Sequence, residues 1–100
     1  MPYITQDLRD KINLEIFDLQ EQILNISGSD NIEGLLNYVI TNLLVDKAIW
    51  CDASSALSYR HYNRMLGVLE SVKQEIYRRI IAPYEDKCIM KNGDIDAFGS

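Results

Sequence analysis

Apolar residues recur at three- and four-residue spacings along most of this chain, the mark of helices that each show one apolar face. In the first segment Leu8, Ile12, Ile16, Leu19, Ile23 and Ile26 share one face. Asp7, Asp10, Lys11, Glu15, Asp18, Glu21, Gln22 and Asn25 fall opposite, with Leu14 among them. Phe17 and Leu24 widen the stripe beyond what one packing partner requires. Thr5 is placed to cap this helix and Ser27-Gly28 to stop it. Ser29 or Asp30 would cap a second helix, whose face is Ile32, Leu35, Leu36, Val39, Ile40, Leu43 and Leu44 and which runs to near Trp50. The β-branched run Val39-Ile40-Thr41 dissents, since such residues favour strands, but the spacing and length of the segment outweigh it.

Residues 51–58, CDASSALS, have no period and read as a loop. A third and longest segment, from about Ser58 to Ala82, has Tyr62, Leu66, Leu69, Val72, Ile76 and Ile80 on its core side. Pro83 lacks an amide hydrogen and clashes with the preceding turn, so a break in helix is predicted there. A short fourth helix follows, with Pro83 at its first position and Asn92-Gly93 as its stop. The expectation is an all-α fold: a small bundle of three long helices and a short C-terminal one. Residues 1–94 form one domain and 95–100 a tail, with Ile95 and Phe98 docking back. The wide apolar faces call for a homo-oligomer, most simply two-fold.

Composition narrows the function classes. Ten basic and fifteen acidic residues leave a net charge of −5, the wrong sign for non-specific nucleic-acid binding. The opening MPYITQDLRDK reaches Asp7 without an apolar run, and no apolar stretch spans a bilayer. A cytoplasmic protein with neither a membrane nor a nucleic-acid partner is expected. Cys51 and Cys88 lack a CxxC setting and read as reduced, buried or half-buried thiols.

Catalytic signals are sparse. His61 is the only histidine and reads as an exposed helix residue. The five glycines are isolated, so no phosphate cradle forms. Helical nucleoside-triphosphate pyrophosphohydrolases have this size and class and bind magnesium through an ExxE pair. The nearest matches, Asp7-x-x-Asp10 and Glu15-x-x-Asp18, are more simply a solvated face. No catalytic residue, metal ligand or cofactor is assigned, and the chain leans away from enzymes.

The third segment carries richer chemistry. Tyr59, Asn63, Gly67, Glu70, Lys73 or Gln74, Tyr77 and Tyr84 fall along one side, followed by Arg78 and Arg79. Rings can stack a base, Asn and Glu can bind ribose hydroxyls, and Arg and Lys match phosphate. Gly67 costs about 1 kcal/mol in a helix and calls for a close approach by a helix or a ligand. The plainer account is packing tyrosines beside ordinary helical pairs, Glu75 with Arg79 at i,i+4 and Glu70 with Lys73 or Gln74.

Asn37-Tyr38-Val39-Ile40-Thr41, Tyr62-Asn63, Gly67, Leu69-Glu70, Lys73, Glu75, Tyr77-Arg78-Arg79, Pro83-Tyr84-Glu85-Asp86-Lys87 and Asn92-Gly93-Asp94 together resemble a small protein family of phages and bacteria. The likeness covers residues 34–94. Leu35 stands where that family usually has an acidic residue, and residues 47–58 diverge. The resemblance implies a phage-borne accessory protein. By analogy with helical phage proteins that sequester nucleotide immune signals, it would hold a nucleotide-like ligand without turnover and oppose host defence. The ligand-binding residues would be Asn37, Tyr38, Asn63, Glu70, Lys73, Tyr77, Arg78, Arg79 and Tyr84. The alternatives are a helical protein–protein interaction or inhibitor module and, less favoured, a metal-dependent nucleotide hydrolase.

Overall fold

The computed structural model describes residues 2–26 and 31–99, and those residues are helical with no strand among them. The helices are α1 (Gln6–Ile26), α2 (Ile32–Val45), α3 (Lys47–Trp50), α4 (Tyr59–Ile76) and α5 (Ala82–Asn92), with a π-helical segment, Tyr77–Ile81, joining α4 to α5. The chain divides into two units, Met1–Met65 and Leu66–Ser100.

In the first unit, α1 begins where its cap predicts. The Leu8 amide donates to Thr5 Oγ1 at 3.4 Å and the Arg9 amide to the Thr5 carbonyl at 3.0 Å. The stop at Ser27-Gly28 and the caps at Ser29 and Asp30 lie outside the described residues. Asn31 occupies the N-cap position of α2. The β-branched run is helical, and Thr41 donates its hydroxyl to the Asn37 carbonyl at 2.7 Å, one turn back.

The second segment does not run unbroken to Trp50. It ends at Val45, and Asp46 takes an extended conformation (φ −64°, ψ 113°). Asp46 then caps the single turn α3, its Oδ1 accepting from the Ala48 amide at 3.0 Å. A short carboxylate that bonds nearby amides favours such a cap over a helix interior. Trp50 closes the corner by donating its indole N–H to the Leu44 carbonyl at 2.6 Å, satisfying one of the acceptors left free at the end of α2. The Arg64 guanidinium lies 5.2 Å from the centre of the Trp50 ring, in a cation–π contact that ties α3 to α4.

Residues 51–58 are irregular, as expected. Asp52 organises them: its Oδ1 accepts from the Ser54 amide at 3.1 Å, the Ser54 hydroxyl at 2.7 Å and the Ser55 hydroxyl at 3.0 Å. These bonds, the Ser54 hydroxyl foremost, hold the Asp52 carboxyl below its ordinary pKa. Ser58 precedes α4, and His61 Nδ1 accepts from its amide at 3.0 Å. His61 is thus half-buried rather than exposed, and it serves the helix start in the manner of a capping box.

Pro83 does not break the helix. The π-helical segment absorbs it: the Ala82 amide reaches back five residues to the Tyr77 carbonyl, and α5 continues with Pro83 in its first turn. One extra residue in the turn accommodates a ring that clashes in regular α-register. The predicted long and short helices therefore form one helical run. That run ends where predicted: the Gly93 amide donates to the Ile89 carbonyl at 2.8 Å, and Gly93 has φ +86°. Ile95 and Phe98 do not dock back; they are 65% and 77% exposed, in a turn closed by bonds from the Phe98 and Gly99 amides to the Ile95 carbonyl.

Among the described residues the only buried apolar side chain is Met65, at 7% exposure. Ile32, Leu35, Val39, Leu44, Trp50 and Leu57 are half-buried in the same unit. The predicted core side of the third segment is not a core: Tyr62, Leu66, Leu69, Val72, Ile76 and Ile80 are all exposed. Most of the stripe of α1 is also uncovered: Leu8, Ile12, Ile16, Leu19 and Ile26 are exposed and Ile23 is half-buried. A stripe is buried only when a second element lies along it, and α1 shares no extended contact with α2 or α3.

Candidate functional site

The chemistry singled out on the third segment lies on α4, the π-helical segment and α5. Glu70 is held by its own helix: Lys73 Nζ lies 3.8 Å from its Oε1, and Gln74 Nε2 donates to that oxygen at 2.9 Å. Both pairs are those expected from spacing. Glu75 pairs with Arg78, whose Nη2 donates to Oε1 at 3.0 Å, and not with Arg79 as predicted. The change of helical register at Tyr77 moves Arg79 off the i,i+4 line that the prediction assumed.

Just beyond these pairs, Lys73, Gln74, Ile76, Tyr77 and Ile81 line a concavity of about 450 Å³ in the second unit. Its members come from the last turn of α4 and from the widened segment. Tyr77 donates its hydroxyl to the Glu85 carboxylate. That bond comes first, with the nearby charges of Glu85 and Asp86 adding to it, in holding the phenol above its ordinary pKa of 10.0. One aromatic ring and one ammonium thus flank an apolar floor formed by Ile76 and Ile81.

Of the nine ligand-binding residues expected from the sequence, Lys73 and Tyr77 share this concavity, with Glu70 bonded to Lys73. Arg78 is engaged by Glu75. Arg79 and Tyr84 are exposed in the same unit. Asn37, Tyr38 and Asn63 belong to the first unit. Asn37 and Tyr38 line a second concavity of about 600 Å³, with Glu33, Gly34, Thr41 and Asn42; all six come from α2. There Asn37 Oδ1 takes a bond from the Thr41 hydroxyl at 3.3 Å, and Asn42 Nδ2 donates to the Tyr38 carbonyl at 2.8 Å. Gly67 has no close approach: a Cβ there would meet nothing within 4 Å.

The sequence reading missed Ile76 and Ile81 as a floor and Glu85 as the partner of Tyr77. Eight residues separate Tyr77 from Glu85, a spacing that no single α-helical turn brings together. Among the described residues no three His, Cys, Asp or Glu side chains could hold one metal ion. Cys51 and Cys88 are free and half-buried, and no helix among the described residues is long and apolar enough to cross a membrane.

Comparison with known proteins yields one family. Its model, described as "Domain of unknown function (DUF6899)", matches residues 1–95. No curated protein and no solved structure matches the chain.

Proposed function

The chain belongs to that family, and we propose that it acts as a helical interaction module, laying the apolar face of α1 against another polypeptide. One observation carries this reading: α1 spans 21 residues and buries none of them. Leu8, Ile12, Ile16 and Leu19 are each 39–49% exposed, and Phe17 and Leu24, beside them, are 61% and 74% exposed. A continuous apolar strip of this kind marks a surface that another molecule covers. The test is a photoreactive amino acid placed at Ile16, on the stripe, and separately at Leu14, on the polar side, in producing cells. Adducts from position 16 and none from position 14 are expected; a bare chain from both positions sinks the reading.

A second reading draws on the concavity beside Lys73 and Tyr77. Here the protein is a phage-type accessory that sequesters an anionic, nucleotide-like signal in the host cytoplasm, without turnover, and so opposes host defence. Tyr77 stacks a base over Ile76 and Ile81, Lys73 neutralises phosphate, and Glu70 accepts from ribose hydroxyls. Arg78 joins only by leaving Glu75. Calorimetry against cyclic dinucleotides and ADP-ribose derivatives tests it. Lys73→Ala is expected to weaken binding by about tenfold, the loss of one charge-assisted hydrogen bond. No heat from any member of the panel rejects it.

A further inference from the structure

We infer that Pro83 is a positioning residue of the concavity beside Lys73 and Tyr77. By holding the run in π register over Tyr77–Ile81, it assembles a floor and a side-chain hydrogen bond that a plain α-helix takes apart. The role toward a ligand rests on the sequestration reading; the register rests on the geometry of the run.

An α-helix turns by about 100° per residue. Ile76 and Ile81 are five residues apart, so in α register they point about 140° apart, too far round the helix to share one surface. They line the same concavity. Tyr77 and Glu85 are eight apart, about 80° apart in α register, yet the phenol bonds the Glu85 carboxylate. One feature accounts for both pairs. The Ala82 amide bonds the Tyr77 carbonyl, five residues back instead of four, so the turn takes up one extra residue. Across that turn, residues five apart stand as i and i+4 do in a plain helix, and residues eight apart as i and i+7 do, on one face.

The register follows from Pro83. In a plain α-helix its ring clashes with the Arg79 carbonyl, four residues back, and offers that carbonyl no hydrogen. A widened turn just before it relieves the clash, and α5 resumes with Pro83 in its first turn, where a missing amide hydrogen costs least. Tyr77, Arg78, Arg79, Ile80 and Ile81 are themselves compatible with a plain α-helix. Pro83 does not line the concavity, so it acts through the register alone. Lys73 and Gln74 lie in α4, ahead of the widened turn, and keep their places without it. Ile81 does not.

The test compares the full wild-type chain with Pro83→Ala and with Pro83→Ala from which Ile80 is also removed. Alanine is the best helix former, so Pro83→Ala should keep its helix content by circular dichroism. Removing Ile80, an exposed residue, leaves Ile76 and Ile81 four apart and Tyr77 and Glu85 seven apart, which restores both pairs in a plain α-helix. NMR coupling across the hydrogen bond of the Ala82 amide is expected to find the Tyr77 carbonyl in the wild type and the Arg78 carbonyl in Pro83→Ala. A partner unchanged by the substitution overturns the inference. The Tyr77 phenol, raised in the wild type, is expected to return to its ordinary value in Pro83→Ala and to rise again once Ile80 is removed. A phenol that stays raised, or that the deletion does not restore, overturns the link between register and pair.

Calorimetry with the cyclic dinucleotides and ADP-ribose derivatives reads the ligand. Pro83→Ala is expected to weaken whichever of them binds the wild type by about tenfold or more, the effect of losing one apolar wall, and removal of Ile80 to recover it. Equal binding by the wild type and Pro83→Ala, with the register shifted, overturns the positioning role. No heat from the wild type rejects the sequestration reading and that role with it, while the coupling and the titration still decide the register.

Discussion

Tyr77 and Asp52 are titrating groups whose surroundings shift them in ways a measurement can read. The Tyr77 phenol is raised by its bond to Glu85. What that bond contributes to stability is therefore fully present below the ordinary tyrosine pKa and is lost as pH rises through the higher folded value. Difference titration of the wild type against Tyr77→Phe should place the Tyr77 transition above the ordinary tyrosine value of 10.0, and Glu85→Gln should bring it down. Asp52 runs the other way. Its carboxyl is lowered by the Ser54 and Ser55 hydroxyls, so its contribution is present above the ordinary aspartate pKa and fades as pH falls through the depressed value. A carbon-detected NMR titration is expected to show Asp52 ionising below the ordinary aspartate value, with the amide signals of 52–55 moving in step. An Asp52 transition at or above the ordinary aspartate value contradicts this account.

Helix ends and corners depend on single side chains. Trp50 joins α2, α3 and α4 through its indole hydrogen bond to Leu44 and the Arg64 guanidinium over its ring. Trp50→Phe keeps a ring for Arg64 and removes the donor, so it should cost about 1 kcal/mol in chemical denaturation. An unchanged midpoint shows that water replaces the indole at no cost. The two glycines of the helical run respond oppositely. At Gly67 a methyl group enters open space, and Gly67→Ala should stabilise by up to about 1 kcal/mol. At Gly93, with φ +86° and ψ 158°, a side chain is strained, and Gly93→Ala should destabilise by about 1–3 kcal/mol. If Gly67→Ala instead loosens self-association, another chain approaches that position.

An 11.5 kDa chain with one buried apolar side chain among its described residues has little hydrophobic stabilisation of its own. Burial is the main favourable contribution to folding. The homo-oligomer expected from the wide apolar faces would supply the missing burial, and melting should then depend on concentration by mass action. The melting temperature is expected to rise across a hundredfold dilution series read from dilute to concentrated. A constant value means that the chain is stable alone and that its exposed stripes are solvated. Exposed pairs such as Glu70–Lys73, with side chains 58% and 74% exposed, contribute too little to change that outcome.

Local features of this protein were legible in its amino-acid order because they depend on neighbours in the chain. Helical spacing, the Thr5 cap, the loop at 51–58 and the Gly93 stop all follow from contacts within a few residues, and the structure has each of them. The Glu70–Lys73 and Glu70–Gln74 pairs were legible for the same reason. Pro83 was misread because a proline forbids one hydrogen-bond register without saying which other register the chain adopts; the π-helical widening answers that. The core was misread more deeply. Periodicity marks which residues can face a partner, and Leu66, Ile76 and Ile80 have that spacing while staying exposed. Whether a stripe is buried depends on where a second surface lies, and three-dimensional packing, not spacing along one helix, supplies that surface.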